Sequence, residues 1–440
     1  MRCRAKRSLL VTFAFAFLIT SGFIYINILQ VGETIDIQLG IERDLKRSTN
    51  EVDPVPSPQP QLHTTTQHPL HTEVEERCHH MAAANGKMRP INRVASFPMS
   101  PVISRRRKLL YCPLAKAGST FFTRYIMAVD RPGPMTSPYD IKIADAGRNG
   151  LTSLTDLTSQ QEKTKFISES FKFLFTRDPY WRVFSAYVDK LYSPNPVYWR
   201  DWGVPAIRDS GLNSSEHKCG SGVPFGAFVH LVVTRLWRSD LHFVPMTTMC
   251  NICKVRYDFV GKLEKASSDI DNLSQKLNVS SSFLHENRYK TASTLDVIKD
   301  STEDSLHSWR REVTECTSAL DVGKVIWRRL QIRGIIQHDF HFPYSEEEME
   351  SISPDDFRSR CIKATETSTD RDKLKRQKLA AFKAAYSQVS LQDRQRLTEI
   401  YHDDFYLFGY DPKPAVIFED NRNQTSVSYI LNWRNDWVNL

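Results

Sequence analysis

No stretch of the 440 residues repeats another, which excludes solenoids, propellers and other repeat arrays. The pattern G-x-x-x-x-G-K-[ST] occurs nowhere, which weakens a nucleoside-triphosphate kinase reading. Cys250 and Cys253 form a C-x-x-C, but no second Cys or His pair at finger spacing accompanies them, so disulfides are favoured over zinc. Neither apolar nor aromatic residues are short: 40% apolar, 25% charged and 11% aromatic residues suit a folded enzyme rather than a disordered chain. The length could hold two average domains, yet neither end reads as globular, so one domain of roughly 300 residues is expected.

One long apolar run is present. Leu9 to Leu29 holds 21 residues without a charge, and at about 1.5 Å per residue it matches the hydrocarbon core of a bilayer. Arg2, Arg4, Lys6 and Arg7 precede it while Glu33 and Asp36 follow, which places the N-terminus in the cytosol and the remainder in the lumen. The expected layout is a cytoplasmic tail over 1–8, a transmembrane signal anchor over 9–31, a luminal stem over 32–105, a globular domain over 106–415 and a C-terminal tail over 416–440. The stem is polar and broken by Pro54, Pro56, Pro58, Pro60 and Pro69, the composition of an extended, disordered linker. A luminal address suits the four glycosylation sequons at Asn213, Asn272, Asn278 and Asn423. It also predicts disulfides among Cys78, Cys112, Cys219, Cys250, Cys253, Cys316 and Cys361, an odd set that leaves one free or intermolecular. The net charge of +8 would steer a polyanion, and with this address a nucleic acid is not the partner expected.

Within the globular part, strands alternate with helices, the pattern of an α/β fold built on a parallel sheet flanked by helices. Lys108 to Cys112 reads as a buried strand, Lys116 to Thr120 as a tight loop, and Phe121 to Val129 as a helix. Such a unit holds anions, because unpaired N–H groups and the dipole at a helix N-terminus face the ligand. Gly118 permits close approach, Lys116 adds a point charge, and Ser119 and Thr120 add hydroxyls. A second unit runs from the strand Phe171–Thr176 through Arg177 to Asp178, an N-cap, and Pro179, the first residue of a helix ending near Leu191. Arg177 stands at the carboxyl edge where open parallel sheets bind ligands, and Ser185 falls two helical turns further on. Two anion sites imply a ligand with two separated phosphate-like groups. The polar segment 280–318 reads as solvated loops and surface helices.

Tyr111 to Arg124 and Phe173 to Lys190 resemble the 5′-phosphosulfate and 3′-phosphate motifs of the membrane-bound carbohydrate sulfotransferases, the family of the chondroitin and dermatan 4-O-sulfotransferases and the HNK-1 sulfotransferase. In the first motif Lys116 and Thr120 keep their places, while Ala117, Gly118, Ser119, Phe121 and Phe122 depart from the usual Pro-Lys-Val-Ala-Cys-Thr-Asn-Trp and the Pro is displaced to Pro113. In the second, Arg177, Asp178, Pro179, Arg182, Ser185, Ala186, Tyr187, Asp189 and Lys190 match. Two further blocks agree, one from Cys250 to Glu264 and one from Asp404 to Tyr410, so the resemblance runs in order from about 108 to 412.

The resemblance implies 3′-phosphoadenosine 5′-phosphosulfate (PAPS) as co-substrate, with no metal. Lys116, Ala117, Gly118, Ser119, Thr120 and Phe121 would hold its 5′-phosphosulfate, Lys116 being catalytic as well, and Arg177, Asp178, Pro179, Arg182 and Ser185 its 3′-phosphate end. It also implies a carbohydrate acceptor, with N-acetylgalactosamine of chondroitin or dermatan leading and a terminal glucuronic acid as an alternative, and a Golgi membrane location. His242 occupies the place of a histidine often found before the family's Cys-x-x-Cys, and Phe243 follows where Trp is common; histidine suits a proton acceptor. Glu169 and Asp189 are alternative bases. Two other readings stand beside this one: a tethered glycan-binding protein of the same fold without turnover, and a luminal kinase or glycosyltransferase, the last set aside as calling for a Walker loop or a metal-holding Asp-x-Asp.

Overall fold

Tyr111, Phe173 and Phe259 each lie in a short apolar run buried on both faces, the signature of central strands in a helix-covered sheet. The structure, a computed structural model, describes residues 69–84, 97–131, 137–142, 152–280, 286–419 and 430–432. Its sheet has five strands: β1 (Val102–Ser104), β2 (Leu109–Tyr111), β3 (Thr152–Ser153), β4 (Phe171–Thr176) and β5 (Phe259–Lys262), in the order β3-β1-β2-β4-β5. β2, β4 and β5 are parallel, but β1 pairs antiparallel with both β2 and β3. The expected parallel sheet is therefore a mixed one. The antiparallel half arises because only four residues separate β1 from β2, too few for a crossover.

Each parallel strand feeds a helix. β2 leads to α2 (Ser119–Asp130) and β4 to α3 (Pro179–Ala186), which continues through one π turn over Tyr187–Leu191. Between sheet and α2 lies an aromatic layer in which Phe122 stacks on Phe175 with centroids 3.8 Å apart. Gly261 is required there, since a Cβ would stand 2.4 Å from the Phe175 ring. A second, larger core gathers α3 with α5 (Ala319–Ile332), α6 (Arg371–Ser387) and α7 (Leu391–Ile400).

Two boundaries move. The expected stem contains α1 (Leu70–Ala84), which is fastened by the Cys78–Cys253 disulfide and by Arg77, whose Nη1 donates to the Leu407 carbonyl at 2.9 Å. β1 also lies within 32–105, so the folded domain reaches back into the predicted linker. In the expected tail, Ile430 and Leu431 are buried and Arg328 Nη1 donates to the Ile430 carbonyl at 3.0 Å. The apolar run Leu9–Leu29 lies outside the described residues; among those described, no helix is long and apolar enough to cross a membrane.

The cysteines pair as Cys78–Cys253, Cys112–Cys250 and Cys219–Cys316. The C-x-x-C is thus split between two bridges. Among the described residues Cys361 is the free thiol and is buried, which pushes its pKa up to about 12 and leaves it inert rather than intermolecular. Asn213, Asn272 and Asn278 are exposed, while Asn423 lies outside the described residues.

Candidate active site

The loop between β2 and α2 has a strained backbone. Lys116 has φ 64° and Gly118 has φ 81°, both left-handed, and Gly118 opens α2 as its N-cap. A lysine tolerates that conformation only where neighbours over-determine it. Arg177 Nη1 donates to the Lys116 carbonyl at 3.0 Å, Arg182 Nε donates to the Ala115 carbonyl at 3.0 Å, and the Ala117 N–H closes a turn on Leu114. Ala117, Ser119, Thr120 and Phe121 are buried in the turn and first helical residues. The Lys116 ammonium lies inside the protein, 2.7 Å from Asp189 Oδ2.

Asp189 sits in the π turn beyond α3, where the widened helix brings Lys190 inward beside it. Its other cationic neighbours are Arg329, bonded to Oδ1, and Arg333, 3.7 Å away, both contributed by or adjoining α5. Burial alone would push the Asp189 carboxyl up, but Lys116, Lys190, Arg329 and Arg333 outweigh it and hold the group well below the usual carboxylate range. Asp189 is therefore a fixed counter-ion and a poor base. Glu169 is excluded by position: it pairs with Lys108 just before the start of β4, whereas Arg177 follows the strand's end.

The segment 280–318, expected to be solvated scaffold, closes this cluster instead. α4 (Glu286–Glu303) presents Asp296 to Arg124 at 2.8 Å, and Asp300 and Asp304 face the same interior around a cavity of about 20 Å³ that Asp189, Lys190 and Arg329 also line. Burial, then Asp296 and Asp304, push Asp300 up to about 7; burial raises Asp304 to about 6.

His242 lies on the loop that precedes the short helix Met246–Met249. Its Nδ1 is 2.7 Å from Asp240 Oδ1, and Asp240 Oδ2 accepts from the Trp202 indole at 2.8 Å. Burial opposes ionisation of Asp240, but the bond and charge of His242 hold its pKa below the ordinary value. In the neutral imidazole the carboxylate makes Nδ1 the protonated nitrogen and leaves Nε2 with its lone pair. Tyr198 bridges this dyad to the cations, its ring 5.8 Å from His242 and 5.5 Å from Lys190 Nζ. Asp240, Trp202, Arg329 and Arg333 escaped the sequence reading. A basic pair, Arg328 and Arg329, inside the apolar stripe of α5 was the one available signal.

The remaining predicted residues divide. Asp178 caps α3 by accepting from the Trp181 N–H at 3.0 Å, Pro179 is its first residue, and the Asp178 N–H donates to Glu264 Oε1. Burial raises the Asp178 pKa to about 7. Glu264 in turn accepts from Tyr410, so the third and fourth sequence blocks meet beside the second at the sheet edge. Asp178 thus shapes the turn rather than offering its carboxylate to a phosphate. Arg182 is spent on backbone carbonyls, and half-buried Ser185 makes no hydrogen bond to the Lys116 loop among the described residues. The chain does contain two Asp-x-Asp sequences, contrary to the ground on which a glycosyltransferase was set aside, but Asp269 accepts the Lys262 N–H and Asp370 caps α6. No cluster of three metal-ligating side chains occurs among the described residues.

A left-handed loop at a helix N-terminus, a lysine with a fixed counter-ion, and a carboxylate-oriented histidine on the neighbouring loop are thus joined through Arg182. The chain belongs to the sulfotransferase family, whose model matches residues 100–328, just over half of its length. Carbohydrate sulfotransferase 8 of Mus musculus is 32% identical over 171 residues, covering 38% of this chain and 40% of that protein. Carbohydrate sulfotransferase 9 of Homo sapiens is 30% identical over 181 residues, 40% of each chain, and carbohydrate sulfotransferase 14 of Danio rerio 27% over 179, 40% of this chain and 47% of its own. The matches span less than half the length of these relatives. No solved structure matches the chain.

Proposed function

We propose that the protein transfers a sulfuryl group from PAPS to a hydroxyl of a carbohydrate chain, N-acetylgalactosamine in chondroitin- or dermatan-type glycans being the leading acceptor. The observation that carries this reading is the pairing of two loops: a strained Lys116–Gly118 cradle on α2 stands beside a histidine whose Nδ1 is fixed by Asp240. The donor set fits the co-substrate, since left-handed Gly118 opens the helix N-terminus to a phosphate and Arg177 lies at the end of β4. PAPS supplies the activated sulfate. Lys116 and the N–H groups of the first turn of α2 stabilise negative charge gathering on the leaving phosphate, an effect worth about 3 kcal/mol per donor. His242 Nε2 takes the proton of the acceptor hydroxyl, and Asp240 stabilises the imidazolium that results.

The same reading places the chain in the Golgi membrane with a luminal domain. Support comes from the charge-free run behind basic residues, three disulfides and exposed sequons. The test is transfer of labelled sulfate from PAPS by the full-length protein to desulfated glycosaminoglycans and glycoprotein glycans, with Lys116→Ala and Arg177→Ala alongside. Transfer to one acceptor class, lost about a hundredfold or more in the Lys116 variant, is expected. Glycan binding without transfer to any acceptor would favour the lectin-like reading, and folded protein that does not bind PAPS would sink both the donor and the reaction.

A further inference from the structure

We infer that Arg182 is a positioning residue, a clamp that sets the separation of the donor cradle and the histidine loop; the inference rests on the transfer reaction proposed above. Arg182 lies inside the expected 3′-phosphate motif, but it is 1% exposed and its three nitrogens are committed inward. Nε donates to the Ala115 carbonyl at 3.0 Å, Nη1 to Val244 at 3.0 Å and Nη2 to Leu241 at 3.3 Å. Ala115 immediately precedes Lys116, and Leu241 immediately precedes His242. One planar group therefore bonds both loops next to the residue each contributes to the chemistry.

The guanidinium suits this task because its donors form a rigid fork, which fixes the three carbonyls relative to one another. A lysine ammonium in its place is a point charge on a flexible stem. The Cys112–Cys250 disulfide joins the same two segments, but four residues before Lys116 and eight after His242, where it limits their separation without fixing the reacting ends. On its far side the histidine loop is held by Tyr401, whose hydroxyl donates to the Phe243 carbonyl at 2.7 Å, and by Asp404, which accepts the N–H groups of Met246 and Thr247 at 2.8 Å. Those contacts tie the loop to the C-terminal helices and leave its approach to Lys116 to Arg182. A misplacement of about 1 Å between reacting groups costs roughly a hundredfold in rate.

The experiment compares full-length wild type, Arg182→Lys, His242→Ala and the double variant. It reads kcat and KM for sulfate transfer, and the affinity for adenosine 3′,5′-bisphosphate by calorimetry. Arg182→Lys should lower kcat about a hundredfold and leave the bisphosphate dissociation constant within about threefold of wild type. His242→Ala should cost much less in the Arg182→Lys background than alone, since the group that Arg182 positions is gone. A tenfold or greater loss of bisphosphate affinity with kcat kept at saturating donor would make Arg182 a phosphate ligand and overturn the clamp. Costs that simply multiply in the double variant would also overturn it, by making the residue merely structural. If Arg182→Lys does not fold, Arg182→Gln, which keeps a donor near the place of Nε but does not reach the Val244 and Leu241 carbonyls, carries the same comparison, and misfolding of both assigns Arg182 to the core and ends the inference. A wild-type protein that neither binds the bisphosphate nor transfers sulfate refutes the proposed reaction and this inference with it, whereas active wild type with multiplying costs refutes the clamp alone.

Discussion

Replacing Asp240 with asparagine removes one acceptor from a site that uses both carboxylate oxygens. Oδ1 accepts from His242 Nδ1 at 2.7 Å and from the His242 backbone N–H at 2.9 Å, while Oδ2 accepts from the Trp202 indole at 2.8 Å. An amide has one acceptor oxygen and one donor nitrogen. If its oxygen stays on His242, the buried indole N–H faces another N–H and loses its bond, at a cost of about 1–3 kcal/mol in stability. If the amide turns over, its NH₂ faces Nδ1, which must then accept; the proton moves to Nε2, and the imidazole can no longer take one from the acceptor hydroxyl. The first arrangement predicts a lower thermal midpoint and the second a loss of general-base catalysis, roughly a hundredfold or more in kcat. Both leave the cradle around Lys116 untouched, so KM for the donor should stay near the wild-type value. Steady-state transfer assays at saturating donor, read with thermal unfolding, separate the two. A variant with wild-type kcat and wild-type midpoint would refute the argument, because neither amide orientation satisfies all three donors.

Two further outcomes follow from the buried charges and bridges. Asp300 has a folded pKa raised to about 7, so its contribution to stability is complete below the ordinary carboxylate value and is lost as pH rises through about 7. Asp300→Asn should flatten the decline in thermal midpoint between roughly pH 5 and 7.5, and an unchanged pH profile would show that the group is ionised throughout. Joint replacement of Cys112 and Cys250 by serine should cost about 2–5 kcal/mol in denaturant unfolding, since the bridge closes residues 138 apart in sequence. Stability unchanged within experimental error would mean that the remaining contacts already fix the two segments.

Local signals were the legible ones. The strand, the small-residue loop and α2 could be read because apolar runs, Gly118 and helical spacing coincide within some twenty residues, and Asp178-Pro179 announces the start of α3 by cap chemistry. An apolar run showed β4 at its observed bounds, but nothing in the pattern distinguishes an antiparallel β1 from linker when the strand is three residues long. α1 was hard to see for a related reason: its apolar stripe of Leu70, Val74, Cys78 and Met81 is narrow, with Val74 alone fully buried among the described side chains, and a disulfide and Arg77 help hold it down. α4 looked solvated because it is polar, yet its Asp296 meets Arg124 from 172 positions away. Buried charge of this kind is a tertiary property; neither residue's neighbourhood in sequence betrays it. The histidine was found by resemblance, whereas Asp240 two residues earlier was missed, because an Asp beside a His signals a dyad only when the turn between them is known.

The fastening of the histidine loop by Tyr401 and Asp404 bears on the order in which the protein is made. Residues 401–404 emerge from the ribosome long after the cradle at Lys116, and Tyr401 and Asp404 make their bonds to Phe243, Met246 and Thr247 with full burial. Until then the His242 loop has Arg182 and the Cys112–Cys250 bridge but lacks the fastening on its far side. A chain terminated before Tyr401 would therefore lack that fastening, and with it the packing of Tyr180 on Phe405 that helps hold α3.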